Sequence, residues 1–279
     1  MVDFDAVAEA LARIFGAHDG PWKLYSARDN YVFTTTKRLA KVAYKPGGDE
    51  RLATGARLSD YLAKKGLPVT APLLPYPVRE DFGLVTLWPW VAHTPVESYE
   101  LTGAYAAAVG SALASLSNTQ APAPAWSPFS RVGPRLKISR FPHATIERVT
   151  ALVDQVSTVT ADIKGSHVFS HGDAHAANVL FLGDGTISLI DLDYATMSPP
   201  GWDMACLWTS MVFENENQEG FSIAQRTYDE AGGVPCKDAE TLSLLRILLG
   251  TTFQMTMPAS PENLGEVDRR LSIIESRLS

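Results

Sequence analysis

The chain is expected to fold as an α+β protein, on three observations. Short runs of β character crowd its first third, at residues 22–26, 31–35, 38–44 and 83–87. Helical periodicity dominates the remainder, at 100–116, 145–160, 204–213, 221–231, 238–255 and 261–278. Between the helices, two apolar runs flank Gly183-Asp184-Gly185, a turn signal that predicts one short β-hairpin.

The elements follow in order. Asp3 is placed to cap a first helix in which Phe4, Val7, Ala8, Leu11, Ile14 and Phe15 form one apolar stripe, ending at Gly16. In the third strand, Leu39, Lys41 and Ala43 alternate, so Lys41 shares a face with apolar neighbours. Gly47-Gly48-Asp49 opens a helix that runs to about Lys65 and closes at Gly66. Glu50, Thr54, Leu58 and Tyr61 fall on one side of it. Residues 121–128 are too rich in proline for regular structure. Arg131, Arg135, Lys137 and Arg140 then form a local basic cluster, a pattern that solvated surface also produces.

The whole composition narrows the function. At 279 residues the chain can bury a substantial core, and its 46% hydrophobic content is that of a globular protein. A net charge of −7 argues against non-specific nucleic-acid binding and favours steering of cations. Two cysteines are no disulfide framework, which suits a reducing cytoplasm. The N-terminus lacks a basic signal region, and no apolar run is long enough to span a bilayer, so a cytoplasmic monomer or homodimer without membrane attachment is expected.

The chemistry concentrates in residues 169–203, FSHGDAHAANVLFLGDGTISLIDLDYATMSPPGWD. His171-Gly172-Asp173 sets a carboxylate on a tight turn, Asn178 follows five residues later, and the hairpin brings Asp191 back to the same end. Two carboxylates and a carboxamide are all oxygen donors, a set that suits Mg2+ together with substrate phosphates. An H-x-D-x-H string (His171, Asp173, His175) also admits a zinc-dependent hydrolase, but that leaves Asn178, Asp191 and Asp193 without work.

The pattern HGDxHxxNxL…IDxD, closed by Asp203, resembles the aminoglycoside phosphotransferase/choline kinase-like family, the small-molecule branch of the protein-kinase-like fold. The resemblance implies a bilobal protein: a β-rich nucleotide-binding lobe over residues 1–91, a hinge at 88–91 and a mostly helical lobe over 92–279. It implies phosphoryl transfer from ATP or GTP to a hydroxyl of a small acceptor, cationic ones such as aminoglycosides and other antibiotics included. Asp173 is then the catalytic residue, and Asn178 and Asp191 hold Mg2+. Lys41 grips the nucleotide phosphates, with Glu50 the acid available on the following helix. Trp90 and Val91 would read the nucleotide base.

Asp193 is expected near the second metal or the substrate. Glu214 and Glu216 lie in an acidic loop where relatives shape the acceptor pocket. His171 and Asp203 are expected to support the catalytic turn. The loop 26–30 occupies the nucleotide-covering position without a glycine. A noncatalytic nucleotide- or ligand-binding relative is therefore the second possibility, and the motif leaves acceptor and donor open.

Overall fold

The computed structural model of the protein describes residues 2–27, 30–44, 47–94, 103–161, 163, 166–182, 185–236 and 238–278. Helix α1 (Phe4–Phe15) starts at the expected cap: Asp3 Oδ1 accepts hydrogen bonds from the amides of Asp5 and Ala6, each at 3.1 Å. Five strands follow: β1 (Lys23–Ala27), β2 (Tyr31–Thr34), β3 (Arg38–Ala43), β4 (Val78–Glu80) and β5 (Gly83–Pro89). They form one antiparallel sheet in the order β1-β2-β3-β5-β4.

Strand alternation divides the sheet into two faces. Val7 and Leu11 of α1 pack with Phe33, Ala40, Val42, Val85 and Leu87 on one. On the other, Lys41 lies in register with Val32 and Thr86, so the alternation read from Leu39, Lys41 and Ala43 is realised. Helix α2 (Gly48–Lys64) packs over that face, where Leu52 meets Ala43 and Leu84.

The strand before the hinge is longer than expected. β5 continues through Trp88 and Pro89, which pair with Leu39 and Arg38. The amide of Trp90 bonds to Lys37 O at 2.7 Å, so the Pro89 nitrogen faces the opposite edge, where the β4 ladder has already ended. A proline costs no ladder hydrogen bond there.

The rest of the chain is mainly helical, with α3 (Gly103–Ser117), α4 (Val132–Ile138), α5 (His143–Ala161), α6 (Trp202–Trp208), α7 (Gln218–Glu230), α8 (Ala239–Gln254) and α9 (Pro261–Leu278). Glu100, read as the start of α3, lies outside the described residues. The helix expected over 204–213 is two pieces, because the α-helical turns of α6 give way to a π-helical stretch at Thr209–Phe213. Part of the basic cluster forms α4, which the proline-rich run before it had obscured.

A single apolar core joins these helices, with Leu113 and Leu116 of α3, Leu245 and Leu248 of α8 and Leu271 of α9 all essentially inaccessible. Two ribbons rest on it: β6 (Val168–Ser170) with β9 (Thr196–Ser198), and the expected hairpin of β7 (Val179–Phe181) with β8 (Ile187–Leu189). Gly183 and Asp184 of its turn lie outside the described residues. The product is a sheet lobe over a helical lobe, with the motif residues at their junction.

Candidate active site

The turn that carries Asp173 is built on the end of β6. His171 is fully buried, and its Nε2 lies 2.8 Å from Ile190 O, at the exit of the hairpin. Asp203, in the first turn of α6, accepts hydrogen bonds from the amides of His171 (2.7 Å) and Gly172 (2.9 Å). The indole of Trp202 donates to Gly172 O at 3.3 Å. Gly172 has φ 84°, and a Cβ there would fall 1.9 Å from Tyr194 O. The turn that carries Asp173 is therefore pressed against the segment after Asp191, and only glycine permits that approach. His171, held by Ile190, is not available to a metal, and the zinc set His171-Asp173-His175 has no physical basis here.

Hairpin register brings the oxygen donors together. Val179 pairs with Leu189, and the amide of Ile190 bonds to Asn178 O at 3.0 Å, which puts Asn178 beside Asp191. Asp191 adopts a left-handed conformation (φ 64°) that turns the chain into the short 3-10 segment Leu192–Tyr194. Asn178 Nδ2 donates to Asp173 O at 3.0 Å and lies 3.1 Å from His175 Nε2. Its Oδ1 then has no hydrogen-bond partner among the described residues. That free carboxamide oxygen and the Asp191 carboxylate form the donor chemistry a hard divalent cation requires, so these residues fit Mg2+.

Lys41 reaches this group from the sheet, with its Nζ 3.0 Å from Asp191 Oδ1 and 3.7 Å from Asp193 Oδ2. Although burial works the other way, the Lys41 ammonium holds the Asp191 carboxyl below its usual range. Burial, despite Lys41 and helped by Asp191, pushes the Asp193 carboxyl up to about 7. Asp193 sits beneath α2 at Gly55, where a Cβ would come 2.3 Å from its Oδ1, and Asn30 Nδ2 donates to its Oδ2 at 3.1 Å. The acid expected on α2 is not the lysine's partner. Glu50 is exposed in the first turn, a position the helix dipole alone favours, and Asp193 occupies the place beside Lys41.

These side chains open onto a cleft of about 460 Å3, lined by Lys41, Asp173, Asn178, Asp191 and Asp193, and by Ser26 and Asn30 of the covering loop. Arg28 and Asp29 of that loop lie outside the described residues. Trp90 and Val91 are not among the lining residues. The Trp90 ring meets Tyr25 edge-on at 5.8 Å, and Val91 O lies 2.9 Å from His93 Nδ1. Trp88 is buried in the sheet, its ring 5.7 Å from the Lys41 ammonium. Of the acidic loop, Glu214 lines the cleft but is 2.9 Å from Arg270 Nη2, whereas Glu216, at φ 55°, does not line it.

Arg246 carries no motif and was not foreseen. It projects from α8, and its Nη2 lies 2.5 Å from Asp173 Oδ1, while His175 Nε2 lies 3.5 Å from Asp173 Oδ2. Burial alone would raise the Asp173 carboxyl, but Arg246 and then His175 hold it well below the usual carboxylate range. Asp173 is an ionised acceptor at neutral pH, pointed into the cleft and tied to a guanidinium. A separation of 73 positions along the chain explains why no local pattern reveals the pair.

A sheet lobe and a helical lobe meeting at such a cleft define the protein-kinase-like phosphotransferase fold. The chain belongs to the phosphotransferase enzyme family, whose sequence model matches residues 23–238. That family includes small-molecule kinases, and solved structures agree with the assignment. An amicoumacin kinase, in complex with AMP-PNP, Ca2+ and Ami, aligns over 99% of this chain and 94% of its own at TM-score 0.76 and 15% identity. Choline kinase from Streptococcus pneumoniae covers 98% and 99% at TM-score 0.71 and 16% identity. An aminoglycoside phosphotransferase from Streptomyces rimosus, in complex with ADP and streptomycin, covers 92% and 100% at TM-score 0.71 and 19% identity. At these identities the likeness establishes the fold. No curated protein matches the sequence. None of the described helices is long and apolar enough to cross a membrane.

Proposed function

We propose that the protein is a small-molecule kinase that transfers the γ-phosphoryl group of ATP or GTP to a hydroxyl of its acceptor. One observation carries the proposal: Lys41 of β3 and Asp173, Asn178 and Asp191 of the segment 169–203 line one cleft between sheet and helices. Residues 1–91 are taken as the nucleotide-binding lobe and 92–279 as the lobe that receives the acceptor.

Asn178 and Asp191 would hold Mg2+, which when bound neutralises charge on the triphosphate. Lys41, buried and 3.0 Å from Asp191, adds a fixed cation on the sheet side of the phosphates. Asp173 orients the acceptor hydroxyl and takes its proton as the bond to phosphorus forms. A carboxylate held so far into its ionised form is a weak base, so its main contribution is alignment. The braces from Asp203 to the amides of His171 and Gly172 keep that carboxylate in register.

The test is release of ADP or GDP over a panel of hydroxyl acceptors, with Asp173→Ala as control. The variant is expected to lose roughly 10²–10⁴ in kcat with little change in nucleotide KM. An unchanged kcat removes Asp173 from the mechanism.

A further inference from the structure

The cleft as a whole carries the opposite charge to that suggested by the protein's net −7. Among the described lining residues, Lys41, Arg51, Arg131, Arg135, Arg246 and Arg270 face Asp173, Asp191, Asp193 and Glu214, six cations against four carboxylates. Asp191 and Asp193 are taken by Lys41. Glu214 is neutralised by Arg270, which also holds Glu266 at 2.5 Å. No acidic side chain of the described wall is left to receive a cationic acceptor.

One guanidinium, by contrast, stands against Asp173, that of Arg246, and others line the same cleft. Arg131 lies over the Tyr194 ring at 3.8 Å, with Arg51 5.4 Å from the same ring, and neither has a carboxylate within ion-pair distance among the described residues. Tyr194 in turn supplies the carbonyl that Gly172 packs against, one residue before Asp173. Arg135, one helical turn beyond Arg131, donates to Leu249 O at 2.9 Å and so docks this basic segment onto α8, three residues past Arg246. Arg131 and Arg246 therefore line the same cleft as Asp173.

Resting on the kinase reading, we propose that the acceptor is a hydroxyl compound bearing a carboxylate or phosphate group, which Arg246 and Arg131 bind. The planar guanidinium fork matches either oxyanion. Arg246 has a second role in this arrangement. Without acceptor it occupies Asp173 Oδ1 at 2.5 Å, the oxygen that a substrate hydroxyl needs. When the acceptor's anion engages Arg246, that oxygen is released. The hydroxyl oxygen then bonds to the γ-phosphorus, the bond from phosphorus to the bridging oxygen breaks, the nucleoside diphosphate leaves, and the hydroxyl proton passes to Asp173. The product is a phosphate monoester that keeps its original anionic group.

Calorimetry on the full chain saturated with Mg·AMP-PNP tests this, using matched probes: D-glycerate and glycerol 3-phosphate as anions, glycerol as the neutral counterpart, choline and kanamycin as cations. The two anions separate carboxylate from phosphate. One or both are expected to bind, more tightly than glycerol, and Arg246→Gln and Arg131→Ala are each expected to weaken that binding by about 10- to 100-fold. Nucleotide affinity and melting temperature should hold in Arg131→Ala, which guards against a folding defect in the buried Arg246 variant. Failure of both anions to bind, or anion binding undiminished in both variants, overturns the anionic acceptor. Failure of Mg·AMP-PNP itself to bind is a different result, which overturns the kinase reading beneath it.

Discussion

Gly172 shows how a single residue can decide whether this site exists. Its φ of 84° and the Tyr194 carbonyl, 1.9 Å from where a Cβ would stand, leave no room for a side chain. Gly172→Ala should therefore push the catalytic turn off the segment after Asp191. The expected result is a loss of about 10²-fold in kcat/KM from misplacement of Asp173, and about 1–3 kcal/mol of stability from backbone strain. Nucleotide-release kinetics and a thermal melt measure the two losses. Wild-type values in both would mean that the turns do not touch. Asp193 teaches a related lesson. The resemblance puts it near the second metal or the substrate, and burial under Gly55 of α2 also sets it beside Lys41. The side chain's partner is set by what lies above it, which no neighbour in the sequence encodes.

At the scale of elements, most boundaries follow from local chemistry, and the departures have identifiable causes. Alternation set the β3 register, and the Gly-Asp-Gly turn signal set the hairpin. β5 runs past Leu87 because a proline is harmless on an edge where the neighbouring strand has stopped. Two inter-element contacts can be tested. Helices α3 and α7 approach so closely at Gly110 that a Cβ would fall 2.2 Å from Ala224 O. Gly110→Ala should destabilise the helical lobe by about 1–3 kcal/mol through overpacking, read as a lower urea midpoint; an unmoved midpoint contradicts the contact.

The second contact joins the loop after α1 to β3, where Arg38 Nε meets Asp19 Oδ2 at 2.8 Å and Arg38 Nη2 bonds to Gly16 O at 3.1 Å. The Arg38 hydrogen bond holds the Asp19 carboxyl well below its usual range. A depressed carboxyl stabilises the fold above its unfolded pKa and loses that contribution as pH falls. Asp19→Asn should accordingly be less stable than wild type at neutral pH, and the gap should narrow as the solution is acidified from about pH 5 to 2. Parallel melts across that range check it, and a gap that stays constant with pH would contradict the ion pair.

For the molecule as a whole, the two lobes matter because the residues proposed to hold Mg·nucleotide come from both: Lys41 from the sheet, Asn178 and Asp191 from the ribbon on the helices. A ligand that binds only the folded protein stabilises it by about 2.7 kcal/mol at a hundredfold excess over its Kd. Mg·ATP or Mg·GTP is expected to raise the melting temperature accordingly, and EDTA or Asp191→Ala to remove the increase. A nucleotide shift indifferent to both would separate Asp191 from metal binding.

Residues 169–203 by themselves identify the family, and because they lie close in sequence one hairpin suffices to gather the proposed oxygen donors. The charge of the cleft lining comes from tertiary packing. Arg246 and Arg131 come from distant segments that carry no motif, and only the docking of the segment 131–138 against α8 brings both to the same cleft. A net charge of −7 is a sum over the entire surface. What a bound molecule meets is the local field of the cleft, and that field depends on which side chains packing turns inward.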